Sequence, residues 1–200
     1  MVTGKKAGRP KSFDREAALA RALDLFLEKN YPDTSLSELL VRMDIARQSF
    51  YDTFESKEAL FLEAFQRYEA EAMQAYRQVL GVPGSPMGQL EKVVRGWGEQ
   101  AKERPFGGCL INAAAVDLGR HHPQIAGLVR LHFHQLTLLL RDGLQKALAR
   151  GELAQSADPT ALARLLVVHC QGLIVMGHAG VDEQIVDDVT ESLLQLLPRL

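Results

Sequence analysis

The stretch TSLSELLVRMDIARQSFYDTFESK, residues 34–57, decides the fold. Ser35 and Glu38 stand three apart at its start. That is the spacing of a capping box: the serine oxygen takes the Glu38 backbone N–H while the glutamate reaches back to the Ser35 backbone. Leu36, Leu39, Leu40 and Met43 then form one apolar stripe on a helix of little more than two turns. Met43-Asp44-Ile45 breaks it, and a further short helix runs from about Ala46 to Thr53, with Phe50 and Phe54 four apart and able to face inward together. Ser56 caps a long helix through Phe61, Leu62, Phe65 and Tyr68 to about Leu80. Upstream, Leu19, Ala22, Leu23, Phe26 and Leu27 share one helical face behind an Asp14 cap; Asn30-Tyr31-Pro32-Asp33 ends that helix, because proline cannot continue the hydrogen-bond ladder. Two short helices joined by a three-residue break and braced by a preceding helix are the plan of a helix-turn-helix, in which the second short helix enters the major groove of DNA.

The remainder reads as helix too. GVPGSPMG, residues 81–88, is the clearest loop. Helices are expected at about 89–103, 109–119, 123–150, 158–178 and 182–198, with Asp158-Pro159 as N-cap and first helical residue. No alternating strand pattern competes, so the class is all-α with about nine helices. With 200 residues, 46% apolar and 24% charged, the chain has the balance of a globular protein with a sizeable core. No apolar run of the ~18–20 residues that span a bilayer stands out, and no signal core follows the basic start; the expected location is cytoplasmic, with no membrane partner. The net charge of −2 conceals an acid-free start containing Lys5, Lys6, Arg9 and Lys11. Such an arm can neutralise phosphate or lie in a minor groove, or it can be a solvated tail.

Gly8-Arg9-Pro10-Lys11, Thr34-Ser35, Ile45-Ala46, Ser49-Phe50-Tyr51, Phe54 and Ser56-Lys57-Glu58-Ala59-Leu60-Phe61 together closely resemble the DNA-binding region of the TetR/AcrR family of transcriptional regulators, over about residues 8–65. The resemblance implies a basic arm at 1–11, a DNA-binding domain at 12–71 with its helix-turn-helix at about 35–54, and a ligand-binding and dimerisation domain at 72–200. It implies base reading by Arg47, Gln48 and Ser49, since arginine suits guanine and glutamine suits adenine. It implies further DNA contacts from Arg9, Lys11, Thr34, Tyr51, Thr53 and Lys57, several of them to phosphate. The chain departs from the family at Asp44-Ile45-Ala46, where Gly-Val-Ser is usual, at Gln48, where glycine is common, and at Asp52, where histidine or tyrosine is common. The recognition helix therefore lacks a hydroxyl cap.

For the body the resemblance is one of architecture. It implies a homodimer joined through the last two long helices; Leu162, Leu166, His169, Leu173, Ile185, Val189, Leu193 and Leu196 are the expected interface. It implies a repressor that leaves a palindromic double-stranded operator when a small, largely apolar effector binds, the long helix after Lys57 carrying the signal. Candidate pocket residues are Trp97, Phe106, Cys109, Asn112, Val116, His132, Phe133, Leu136, His169 and Met176. Gly107-Gly108 before Cys109 would set that thiol at the positive end of a helix, which favours thiolate; the alternatives are an oxidant- or electrophile-sensing cysteine and a plain buried one. No metal or cofactor is expected. His132 and His134 are two apart and point to opposite sides, while His121-His122 and His169-Cys170 lack a ligand-spaced third partner. An enzyme with a Cys109 nucleophile and a His132 or His134 base is the rival reading, and the chain has no oxyanion or cofactor motif to support it.

Overall fold

The computed structural model describes residues 13–103 and 109–199; Arg9, Lys11 and Phe106 lie outside them. The described residues form nine α-helices and no strand: α1 (Arg15–Asp33), α2 (Leu36–Met43), α3 (Arg47–Phe54), α4 (Lys57–Gly81), α5 (Pro86–Glu103), α6 (Leu110–Asp117), α7 (Pro123–Ala149), α8 (Pro159–His178) and α9 (Glu183–Leu196).

The local signals act as expected. Asp14 accepts from the backbone of Glu16 and Ala17. Ser35 and Glu38 make both bonds of the capping box, at 3.2 and 2.9 Å. Lys29 joins Glu38 as well, and with the Ser35 backbone N–H it holds that carboxyl down to about 2. Asp44 ends α2 in the left-handed conformation, at φ 57°. Ala46 caps α3 with no side-chain bond, as its missing hydroxyl requires. Asn30, rather than Pro32, makes the break in α1. Its φ of 62° and ψ of 172° suit glycine and cost a residue with a side chain roughly 1–3 kcal/mol.

Two cores form. Phe26, Leu39, Met43, Phe50, Phe54, Leu60, Phe61 and Phe65 fill the head. Leu110, Ile111 and Ala114 from α6, Leu118 just after it, and Ile125 and Val129 from α7 belong to the same cluster, so the head is built partly on the body. Met73 opens the second cluster, with Leu90, Val94, Trp97, Leu140, Leu144, Leu166 and Leu173. α4 thus passes from one core to the other between Phe65 and Met73.

α8 is long and apolar enough to cross a membrane by length and composition. Its Leu162, Ala163, Leu166, Val167, Cys170, Leu173, Ile174 and Gly177 are instead buried in the bundle. Leu162, Leu166, Leu173 and Leu193, expected to face a second subunit, lie in this chain's own core. The apolar residues left exposed are Leu165, Val168 and Val175 on α8 and Ile185, Val189 and Leu196 on α9. Of the expected interface, only Ile185, Val189 and Leu196 are among them, and His169 is half-buried. The exposed apolar row of α8 lies beside the buried row that the periodicity of the sequence marks.

Candidate nucleic-acid interface and effector cavity

α3 is amphipathic across its short length. Phe50 is fully buried and Phe54 nearly so, and these two side chains fix the helix to the head core. Arg47, Gln48, Tyr51 and Asp52 are exposed on the other side, and Ser49 is half-buried between. The Gln48 amide donates to the Asp52 carboxylate at 2.9 Å. A carboxylate is unfavourable near phosphates; here it holds one amide hydrogen of Gln48 and leaves the second N–H and the carbonyl, the pair by which a glutamine can pair with adenine. The Tyr51 ring stands edge-on to Phe50 at 5.4 Å, with nearly half the residue open to solvent.

Two hydroxyls are not available for DNA. Thr34 is 1% exposed and donates to the Asn30 carbonyl at 2.6 Å, so it braces the start of α2. The Thr53 hydroxyl oxygen is buried without a hydrogen-bond partner. Both had been expected at the interface, and both face inward. Lys57 is half-buried, with its ammonium 4.1 Å from the Tyr31 ring centre and donating to the Tyr31 carbonyl at 2.6 Å. Burial pulls its pKa below the usual lysine value. The side chain already ties the start of α4 to the end of α1, and any phosphate contact uses its remaining N–H groups.

α7 runs against α4 through two histidine–glutamate pairs. His122 Nδ1 lies 3.1 Å from Glu58, and His132 Nδ1 lies 3.2 Å from Glu69. Burial pulls the His132 imidazole down against the opposing pull of Glu69, which favours the neutral ring.

His132 also borders an inner cavity of about 260 Å³ between α4, α5, α6, α7 and α8. Cys109 and Leu136 border it too. Tyr68, Glu71, Tyr76, Gln100, Cys170 and Gln171 complete its polar and thiol wall, and none of these was foreseen. The sequence did carry one hint: Tyr68, Ala72, Ala75 and Tyr76 fall at helical spacing, and small alanines between tyrosines leave room. Gln171 Oε1 is buried with no hydrogen-bond partner. Burial pushes the Cys170 thiol far up, so it stays protonated.

Asn112 and Val116, with Cys109 again, border a second cavity of about 210 Å³. Trp97, Phe133, His169 and Met176 border neither cavity. Trp97 is buried behind Tyr76 and donates its indole N–H to the Tyr76 oxygen at 3.2 Å, so it supports the wall from the second layer. Phe133 packs where the two cores meet. Among the described residues no group of three or more metal-ligating side chains forms.

Known proteins share this arrangement. Residues 18–64 match the bacterial regulatory proteins of the tetR family, and residues 86–193 match the tetracyclin repressor-like C-terminal domain. The HTH-type transcriptional regulator YezE of Bacillus subtilis (strain 168) is 36% identical over 80% of this chain and 83% of its own. The HTH-type transcriptional repressor ComR of Escherichia coli (strain K12) is 27% identical over 98% of this chain and 94% of its own. A cysteine mutant of the TetR family regulator CifR, solved in complex with 26-bp double-strand operator DNA, is 30% identical with a TM-score of 0.81, over 94% of this chain and 98% of that one.

Proposed function

The chain belongs to the TetR family of DNA-binding transcriptional regulators, and from that premise we propose that it is a homodimeric repressor which leaves a palindromic operator when a small effector fills the body. Family membership makes it a regulator and not an enzyme, which removes the Cys109–histidine catalytic alternative. The observation that carries the proposal is α3: it buries Phe50 and Phe54 and leaves Arg47 and Gln48 exposed at its N-terminal end, where a recognition helix meets base edges. Tyr51, Lys57 and the arm residues Arg9 and Lys11 serve phosphates. The relatives add support: ComR is a repressor by name, and CifR was captured on operator DNA.

A second copy is the occupant that suits the exposed apolar rows of α8 and α9. Val168 is 67% exposed and Ile185 45%, and large apolar side chains left open along two helices suit an interaction face. A palindrome also requires two heads related by a two-fold axis. The inner cavity suits an effector that is largely apolar and carries a hydrogen-bond donor for Gln171 Oε1.

The test uses the full chain and duplex DNA selected from a random library. The expected result is one palindromic site bound by a dimer, with affinity falling steeply as salt rises. Val168→Asp with Ile185→Asp should give a folded monomer by sedimentation that no longer holds the palindrome. A wild-type protein that selects no sequence overturns the DNA reading, and a double variant that stays dimeric overturns the interface.

A second reading of the effector rests on Cys109. It is the N-cap residue of α6 and borders both cavities, so an alkylating electrophile whose carbon bonds to its sulfur, the leaving group departing as an anion and the thiol proton going to solvent, would fill the body covalently. Iodoacetamide should modify Cys109 before Cys170, as read by peptide mass, and should weaken operator binding. Unchanged binding by the fully modified protein overturns this reading.

A further inference from the structure

We propose that the second cavity, at the junction of α1, α6 and α8, is a separate effector site that takes a small aliphatic amine and acts on the head directly at Asn30. This rests on the DNA-binding reading above but not on the inner cavity.

The cavity has a definite construction. One face of α6 forms its floor, with Asn112, Val116 and Asp117 among the residues at helical spacing. Val175 and His178 come from the end of α8, and Asn30 comes from the break in α1. Among the described residues no lysine or arginine borders it. Asp117 is the last residue of α6 and His178 the last of α8. The C-terminal end of α6 borders the cavity through Asp117, and that end of a helix attracts cations; at the end of α8 the Val175, Met176 and Gly177 carbonyls already accept from Ala179, Val181 and Gly180. The Asp117 carboxylate and the amide oxygens of Asn30 and Asn112 add acceptors. An ammonium head satisfies this set, whereas a carboxylate opposes it. Val116, largely exposed, offers an alkyl chain apolar surface to cover.

The coupling follows from what hangs on the break. Asn30 holds a backbone conformation that side-chain-bearing residues rarely adopt. Its carbonyl accepts the Thr34 hydroxyl at the entrance to α2, and the neighbouring Tyr31 carbonyl accepts Lys57 at the start of α4. These two adjacent carbonyls tie the entrance of α2 and the start of α4 to the end of α1. A ligand bonded to the Asn30 side chain biases that joint. It shifts operator affinity by its differential affinity for the two joint positions, typically 5- to 150-fold.

The probe is hexylamine, with hexanoate as the matched anion, and the readouts are thermal unfolding and operator binding by fluorescence anisotropy. Hexylamine should raise Tm and weaken operator binding about tenfold, and hexanoate should do neither. Asp117→Asn, a surface change, should lose both responses. Ala113→Phe, which fills the cavity from α6, should lose the Tm response and weaken operator binding without ligand. Ala75→Phe, which fills the inner cavity, should keep the hexylamine response. Equal effects of hexanoate, no response to hexylamine, or a response that survives in Asp117→Asn or disappears in Ala75→Phe each overturn the proposal. A wild-type chain that binds no operator fails the DNA reading instead, and the Tm arm still tests the site.

Discussion

Gly177→Ala lowers the stability of the body by about 3 kcal/mol, the upper end of what overpacking a core costs. A Cβ at Gly177 would lie 2.2 Å from the Ala101 carbonyl oxygen and 2.8 Å from its carbon. The obstacle is the backbone of α5 and cannot rotate away as a side-chain tip could. α5 and α8 must move apart, and the move loosens Val94, Trp97, Leu166 and Leu173 in the same core. For a chain of this size the loss corresponds to a Tm lower by roughly 6–12 °C. Gly96→Ala on α5 is the matched control. It meets nothing within 4 Å and is exposed, so it should be stabilising by up to ~1 kcal/mol through helix propensity alone. Thermal unfolding of the two variants should move in opposite directions. A Gly177→Ala protein as stable as wild type would mean that α5 and α8 do not cross this closely.

What the sequence made legible, and what it did not, divides along the range of the forces involved. The head was readable because its shape is set locally: the Asp14 cap, the Ser35–Glu38 box, the left-handed Asp44 and the Ser56 cap each act within a few residues of chain. The orientation of α8 was not. Leu165-Leu166 and Val167-Val168 place apolar side chains on adjacent directions around the helix, so periodicity alone cannot separate the row that meets α5 and α7 from the row left outside. Burial separates them: Leu166 and Val167 are inside, Leu165 and Val168 outside. The cavities were harder still, because a void is a property of several helices at once. Large side chains such as Trp97 and Phe133 drew notice and proved to be supports. The walls include Ala72, Ala75 and Ala113, which draw none. Thr34 shows the converse error. Its position before α2 suits a phosphate contact, but the break at Asn30 leaves a carbonyl that its hydroxyl must satisfy.

Arg47→Ala costs operator binding about 1–3 kcal/mol at each half-site and relaxes the preference at one base position. Arg47 is exposed at the first position of α3, and among the described residues it has no hydrogen-bond or ion-pair partner to lose. The fold should therefore be indifferent to the change, with Tm unmoved. All of the loss then falls on the complex. In a two-fold dimer it is counted twice, roughly 2–6 kcal/mol, which is more than tenfold in affinity. Lys57→Ala serves as the contrast. Lys57 donates to Tyr31 within the chain, so its removal should lower Tm as well as weaken binding, and the weakening should be the same on every sequence with a shallower salt dependence. The two variants can be compared on a duplex library randomised at single positions. Arg47→Ala should flatten the preference at one position per half-site, and Lys57→Ala should leave the preferences intact while lowering affinity throughout. If Arg47→Ala keeps the full wild-type preference, base reading does not begin at the N-terminus of α3, and the contacts must be sought further along the helix, at Gln48 and Tyr51.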